Sequence, residues 1–235
     1  MKNIFLIPLS LLLIISCRKK DDDNAIPLRV KSQTDAGGSY NYTYNTGYNI
    51  VKTEFNSGFN KEEYQYEPQK ITQIITDPSN TYTIHYGLNG KGLAITKQFE
   101  GSNEIQYYEY DDKGFVVRTY NNKAPRTEAA FFYNTATGLL DSVRSLTGSA
   151  WNYTSVFMYY TEIKNTLGDD NYGCSFRGKS LPHPYKAVAQ RRPNGNQITV
   201  GVTSYTYTLD NKGRISNRSF ITSGGQSGND SFTYY

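Results

Sequence analysis

Two acidic pairs, two histidines, two cysteines and one tryptophan are the reactive or ligand-binding side chains that stand out in this sequence. Asp111-Asp112 and Asp169-Asp170 are paired carboxylates, which at the right separation carry out glycoside hydrolysis. Adjacent acids also serve as plain turn formers, and Asp111-Asp112 falls in a hairpin turn. Asp169-Asp170-Asn171 offers oxygen ligands of the kind Ca²⁺ takes, without EF-hand spacing. His85 and His183 lie far in sequence from any acid or cysteine cluster, so no zinc set forms, and no metal or cofactor is expected. Gly225-Gln-Ser-Gly-Asn breaks the nucleophile elbow at its last position, and Gly90-Lys-Gly92 lacks a phosphate-loop continuation. The expectation is a protein without a catalytic set. The rival reading is a glycan-processing hydrolase using Asp169, Asp170 or His183.

Binding chemistry has better candidates. Trp151 and Tyr153 open a strand and offer two rings to a sugar or a protein partner, although cross-strand packing of the single tryptophan is the simpler explanation. Arg177 and His183, in the longest irregular segment, complete the candidate ligand-binding set. The net charge of +4 is weak and the basic residues are scattered, so no nucleic-acid partner is expected.

The N-terminus reads as a targeting segment. Lys2 precedes an apolar run, Phe5 to Ile15, that ends at Ile14-Ile15-Ser16-Cys17. That tetrapeptide resembles a bacterial lipobox, so residues 1–16 are expected to be a signal peptide and Cys17 the lipidated N-terminus. Acyl chains at Cys17 would anchor the protein to a membrane without a spanning segment. Lys19 and Lys20 followed by Asp21, Asp22 and Asp23 resemble an export signal for display on the outer face of the outer membrane; the periplasmic face is the alternative. Residues 17–38, polar and Gly-containing, read as lipidated terminus and flexible tether. After residue 16 no apolar run approaches the roughly 20 residues of a spanning helix.

The elements that must position these groups are strands. Tyrosine contributes 22 residues and phenylalanine 11, with 20 glycines to form turns and only 2 methionines. Tyr205-Thr-Tyr-Thr-Leu-Asp-Asn-Lys-Gly213 followed by Arg214 to Phe220 reads as strand, turn, strand, and Tyr107 to Tyr120 repeats it. Tyr44, Tyr66, Tyr86, Tyr110, Tyr133 and Tyr160 mark units spaced 22, 20, 24, 23 and 27 residues apart, one hairpin each. Tyr-x-Tyr puts both rings on one face of a strand, and a hydroxyl at the edge of such a face is expected to reach water. The expected fold is all-β: an antiparallel meander of hairpins in a strongly curved or barrel-like sheet of about 14 to 16 strands. One domain, 39–235, would carry a long loop at about 167–196, holding a short helix near Tyr185 to Gln190. Such a loop is either functional or a plug over one end of the sheet. With Cys17 acylated, Cys174 has no disulfide partner.

The unit at Tyr205 to Ile215, and Tyr108-Glu-Tyr-Asp-Asp-Lys-Gly114, resemble the YD repeat of Rhs-type and teneurin proteins. The first has Leu209 inserted before Asp210, and the second has Phe115 where the pattern has Arg. Together with the lipobox, residues 40–235 resemble a family of Bacteroidota surface lipoproteins of unknown function with a porin-like β fold. The resemblance implies hairpins, not chemistry. Asp141-Ser142-Val143 resembles the short O-glycosylation acceptor of that group, making Ser142 a candidate modification site. The functional expectation is a lipid-anchored outer-membrane protein acting as a non-catalytic binding or structural module for a glycan or surface protein; an integral barrel is the other alternative. Charged positions such as Glu109, Lys97, Arg118, Arg144 and Arg218 are expected outside, which argues against lipid around the sheet.

Overall fold

A computed structural model describes residues 27–56, 60–195 and 197–235. Sixteen strands follow one another: β1 (Val30–Asp35), β2 (Gly38–Tyr44), β3 (Ile50–Phe55), β4 (Asn60–Glu67), β5 (Lys70–Thr76), β6 (Thr81–Leu88), β7 (Ala94–Phe99) and β8 (Ile105–Tyr110). Then come β9 (Val116–Asn121), β10 (Thr127–Tyr133), β11 (Leu140–Thr147), β12 (Ala150–Tyr159), β13 (Tyr185–Asn194), β14 (Gln197–Leu209), β15 (Ile215–Thr222) and β16 (Ser227–Tyr234). Each pairs antiparallel with its sequence neighbours, and β1 pairs with β16, so the meander closes into a barrel. Closure removes the sheet edges that an open meander would expose.

Hairpin repetition follows from turn chemistry at the end where even strands finish. Asp111 Oδ1 accepts from the Phe115 amide, Asn89 Oδ1 from Lys91 and Leu93, and Asp210 Oδ1 from Lys212 and Arg214. Gly114 and Gly213 supply the left-handed residue of their turns, at φ of 90° and 74°. A register shift occurs beside most of these turns, for example between Glu109 and Tyr110 and between Phe132 and Tyr133.

At the same end the repeat tyrosines do a job that their spacing alone does not reveal. In seven hairpins the ladder between an odd strand and the even strand after it stops two residues short of the odd strand's first residue. A tyrosine hydroxyl takes the carbonyl left over: Tyr44 to Val30, Tyr66 to Ile50, Tyr110 to Ala94, Tyr133 to Val116, Tyr159 to Leu140, Tyr207 to Tyr185 and Tyr234 to Ile215, at 2.6 to 2.9 Å. These hydroxyls therefore bond to backbone and do not reach out to water as expected. They replace missing rungs of the barrel wall. Tyr86 departs from the rule and donates to the Gln73 side chain. The sixth unit is marked by Tyr159, not by Tyr160.

Two sequence expectations on element bounds are overturned. Residues 30–38 are barrel wall, not tether: Val30 is fully buried, and Asp35 Oδ1 accepts from Gly37 and Gly38 to make a hairpin turn of what reads as a Gly-rich linker. The excursion spans 160–184 instead of 167–196, because Tyr185 to Asn194 is strand β13, locked between β12 and β14, and no helix forms there. Residues 1–16, Cys17, Lys19, Lys20, Asp21, Asp22 and Asp23 lie outside the described residues.

Candidate functional site: the plugged lumen

The 160–184 segment folds back into the barrel end that carries the tyrosine hydroxyls. Two short 3₁₀ turns, Asp169–Tyr172 and Ser175–Arg177, shape it. Phe176 and Cys174 are buried against Ile50, Ile71, Ile84 and Tyr86, and Phe176 meets the Tyr86 ring edge-on at 5.2 Å. On the other side Tyr172 meets Tyr42 edge-on at 5.1 Å, near Val30, Ile215 and Phe232. Hydrogen bonds to the main chain of the wall tie the plug at separate points of the circumference. The Ile50 amide donates to Gly173 O (3.2 Å), the Lys179 amide to Gly114 O (2.8 Å), and the Ile215 amide to Thr166 Oγ1 (3.0 Å). The plug is thus part of the hydrophobic core, which lies inside the barrel end.

Beyond the plug the lumen is polar. Glu62 Oε2 accepts from the Tyr64 hydroxyl (2.7 Å) and from the Gln73 amide (3.0 Å), while Gln73 Oε1 accepts from Tyr86 (2.8 Å). Across the barrel Gln33 Oε1 accepts from Tyr42 and Tyr172, and Arg218 donates through Nε and Nη2 to Asp230 Oδ2 at 2.8 and 2.7 Å. Arg177 projects from the plug with Nη1 3.8 Å from Asp169 Oδ1. Gln33, Glu62, Tyr64, Gln73, Arg177 and Arg218 border a cavity of ≈ 430 Å³. A second cavity of ≈ 370 Å³ is lined by Lys97, Phe99, Gln106 and Tyr108 on β7 and β8, with Glu104 and Thr119.

Enclosure by the wall disfavours charge even where water reaches the lumen. Asp169 keeps 47 % of its side-chain surface open, yet burial holds its carboxyl above the usual range, against the opposing pull of Arg177. Burial lowers the Lys97 ammonium, and nearby Arg177 lowers it further. The Tyr108 phenol is pushed up to about 12, by burial first. Lys97, Arg177 and Arg218 thus face Glu62, Asp169 and Asp230, and Glu104 at the second cavity is paired with Lys123, so the lumen is close to charge balance.

The sequence-derived candidates are scattered by this fold. Arg177 and His183 share the plug, where both border a cavity of ≈ 310 Å³, but His183 Nδ1 is 2.9 Å from Ile163 O and holds the loop. Trp151 and Tyr153 do not form a pair. A bulge at Asn152 puts Tyr153 opposite the buried Ser145, on the inner face, and Trp151 opposite Leu146, on the outer face, where its Nε1 donates to Thr154. Asp170 is occupied in loop geometry, accepting from the Ser180 amide (3.3 Å). Ser142 lies on the outer face of β11 between Phe132 and Val156. His85 lies outside the barrel, with Nδ1 3.3 Å from Thr72 Oγ1. Among the described residues no three of His, Cys, Asp or Glu converge to hold a metal ion.

Sequence reasoning missed Gln33, Glu62, Gln73 and Asp230 as lumen residues. Their signal was phase: Glu62 alternates in step with Tyr64 and Tyr66, and Gln73 with Ile71. Lys97 and Arg218, expected outside, face the lumen because they pair with Tyr86 and Tyr207.

The overall fold of the chain is shared with solved structures. The chain has the fold of porin-like proteins. A porin-like protein from Bacteroides uniformis superposes with a TM-score of 0.60 at 18 % identity, covering 84 % of this chain and 91 % of that one. Another from Bacteroides vulgatus gives 0.59 at 12 % identity, covering 88 % of this chain and 99 % of that one. No family model and no curated protein matches the sequence.

The outer wall of this porin-like barrel is uneven. From β3 to β10 it carries a lattice of charges: Lys52 beside Glu54, Lys61 beside Glu63, and Arg118 between Glu109 and Glu128. All strands except β12, β13 and β14 have 6 to 8 residues. At the tilt of a barrel that is about 16 Å of height, against the roughly 25 Å of an outward apolar band in a spanning barrel.

Proposed function

We propose that this chain is an outer-membrane-associated barrel that retains a small, uncharged, polyhydroxylated ligand in its lumen without chemically changing it. The observation that carries the reading is the Glu62–Tyr64–Gln73–Tyr86 network facing the cavity beside Arg177. It sets amide and hydroxyl donors and acceptors at near-zero net charge, with the Tyr108 and Phe99 rings close by. Sugars are recognised by that combination of polar pairing and ring surface. Cavities of ≈ 370 and ≈ 430 Å³ suit one or two sugar rings. The fold likeness to porin-like proteins supports the membrane association, as does the resemblance of Ile14-Ile15-Ser16-Cys17 to a lipobox. The expected test result, on a glycan array with parallel turnover assays, is saturable binding with no product, weakened by Gln73→Ala. Hydrolysis abolished by Asp170→Asn would instead make the plug acids catalytic.

The likeness to porin-like proteins favours a second reading, an integral conducting barrel. The plug and the charged outer wall weigh against it. In planar bilayers the purified chain is expected to give no unitary conductance steps; reproducible steps would establish the pore.

A further inference from the structure

The outer wall from β10 to β15 is unlike the rest. Cross-strand registers place Phe132, Ser142, Val156, Ala189 and Val202 in one row. The row toward the plug holds Met158, Ala187, Ser204 and Ile221, and the row on the other side holds Arg144, Thr154, Arg191 and Val200. Phe132, Val200 and Ile221 are 51 %, 51 % and 56 % exposed. At about 4.8 Å between strands this face is some 25 Å wide; its first two rows are apolar except for Ser142 and Ser204, and the third is polar except for Val200, an apolar band beside a basic one.

Its charges are one-sided. Arg144 and Arg191 stand within the face. Of the bordering acids, Glu128 is already bound by Arg118 at 2.7 Å and Arg126 at 3.2 Å, and Asp141 lies at the bulge on the plug-end rim. Two-fold pairing of this face with a second copy would set arginines against a surface with no free acid at its centre. Trp151, the single tryptophan, borders the same arginine row. A ring of this kind suits the boundary between headgroups and acyl chains. The chain upstream of residue 27, with its apolar run Phe5 to Ile15, enters the barrel at β1, two strands from β15.

We propose that the β10–β15 outer face rests on an anionic lipid surface, with the apolar rows at the acyl boundary and Arg144 and Arg191 on headgroup phosphates. The barrel then lies on its side, one flank in the interface and the charged β3–β9 wall in water. This inference does not depend on what the lumen binds.

Trp151 is a built-in probe. The full-length chain is mixed with phosphatidylcholine vesicles containing phospholipid brominated near the headgroup end of the acyl chain, with and without phosphatidylglycerol. The expected result is quenching of Trp151 with phosphatidylglycerol present. Arg144→Glu combined with Arg191→Glu should weaken that partitioning at least about tenfold, while Lys52→Glu on the opposite wall leaves it unchanged. Three outcomes would overturn the proposal: co-flotation with Trp151 unquenched, as when only the N-terminal segment holds the chain; equal quenching of the charge-reversed protein; or no quenching together with a dimer in sedimentation.

Discussion

The Tyr110 hydroxyl donates to the carbonyl of Ala94 at 2.8 Å, across a gap where the β7–β8 ladder has stopped two residues short. Ala94 is 2 % exposed, so without the phenol this carbonyl would be buried and unpaired. The repeat tyrosines are therefore part of the wall. Tyr110→Phe should lower unfolding stability by about 1 to 3 kcal/mol. Tyr107→Phe, on the outer face where the ring only stacks on Tyr120, should stay within about 0.5 kcal/mol. Denaturant titration checks both, and equal effects would contradict the assignment.

The plug depends on close approach at Gly173. A Cβ there would lie 2.6 Å from the Ile50 amide nitrogen and 2.8 Å from Tyr48 O, both backbone, at a φ of 69°. Gly173→Ala should release the segment locally. Amides of 163–180 should exchange faster while strands β13 to β16 keep their protection. Unchanged exchange in the plug would mean that it is not anchored there.

Cys174 reports the same state. Burial pushes its thiol up to about 11, and it is 3 % exposed. At pH 8 the peptide carrying Cys174 should remain unalkylated in the native chain and become modified in Gly173→Ala. Rapid alkylation of the native protein would place the plug outside the barrel.

Alkaline pH should unfold the protein cooperatively. Burial pushes Tyr108, Tyr133 and Tyr185 up to about 12, against 10 for an open phenol. The folded state thus holds protons that the unfolded state releases, so the contribution is complete below pH 10 and is lost as pH rises through 12. The last part of the phenolate absorbance, from the buried rings, and the loss of the β-sheet circular dichroism signal should rise together above pH 10. Completion of the phenolate absorbance before unfolding begins would show the buried rings open to water.

Much of the architecture was legible because turn chemistry and Tyr-x-Tyr alternation are local. Asp111, Gly114, Asp210 and Gly213 mark hairpins whatever surrounds them. What was illegible depends on partners distant in sequence. Val30 becomes a strand residue only against β16, so Gly37-Gly38 reads as linker. Ala187 to Ala189 are strand only between β12 and β14. The bulge at Asn152, which separates Trp151 from Tyr153, leaves no sequence mark. The tyrosine bonds need the register, because only the register shows which carbonyls the ladder leaves unpaired. Glu62 and Gln73 were readable in phase with their strands, though charge and amides inside a barrel run against the usual apolar interior.

On the proposed arrangement the charged β3–β9 wall of the barrel stays in water. Lys52 and Lys61, on the outer faces of β3 and β4, test it most directly. With the full-length chain bound to vesicles, a membrane-impermeant amine reagent should modify both lysines as readily as in the vesicle-free protein. Protection of both would place that wall in hydrocarbon and make the protein a spanning barrel, contradicting the account.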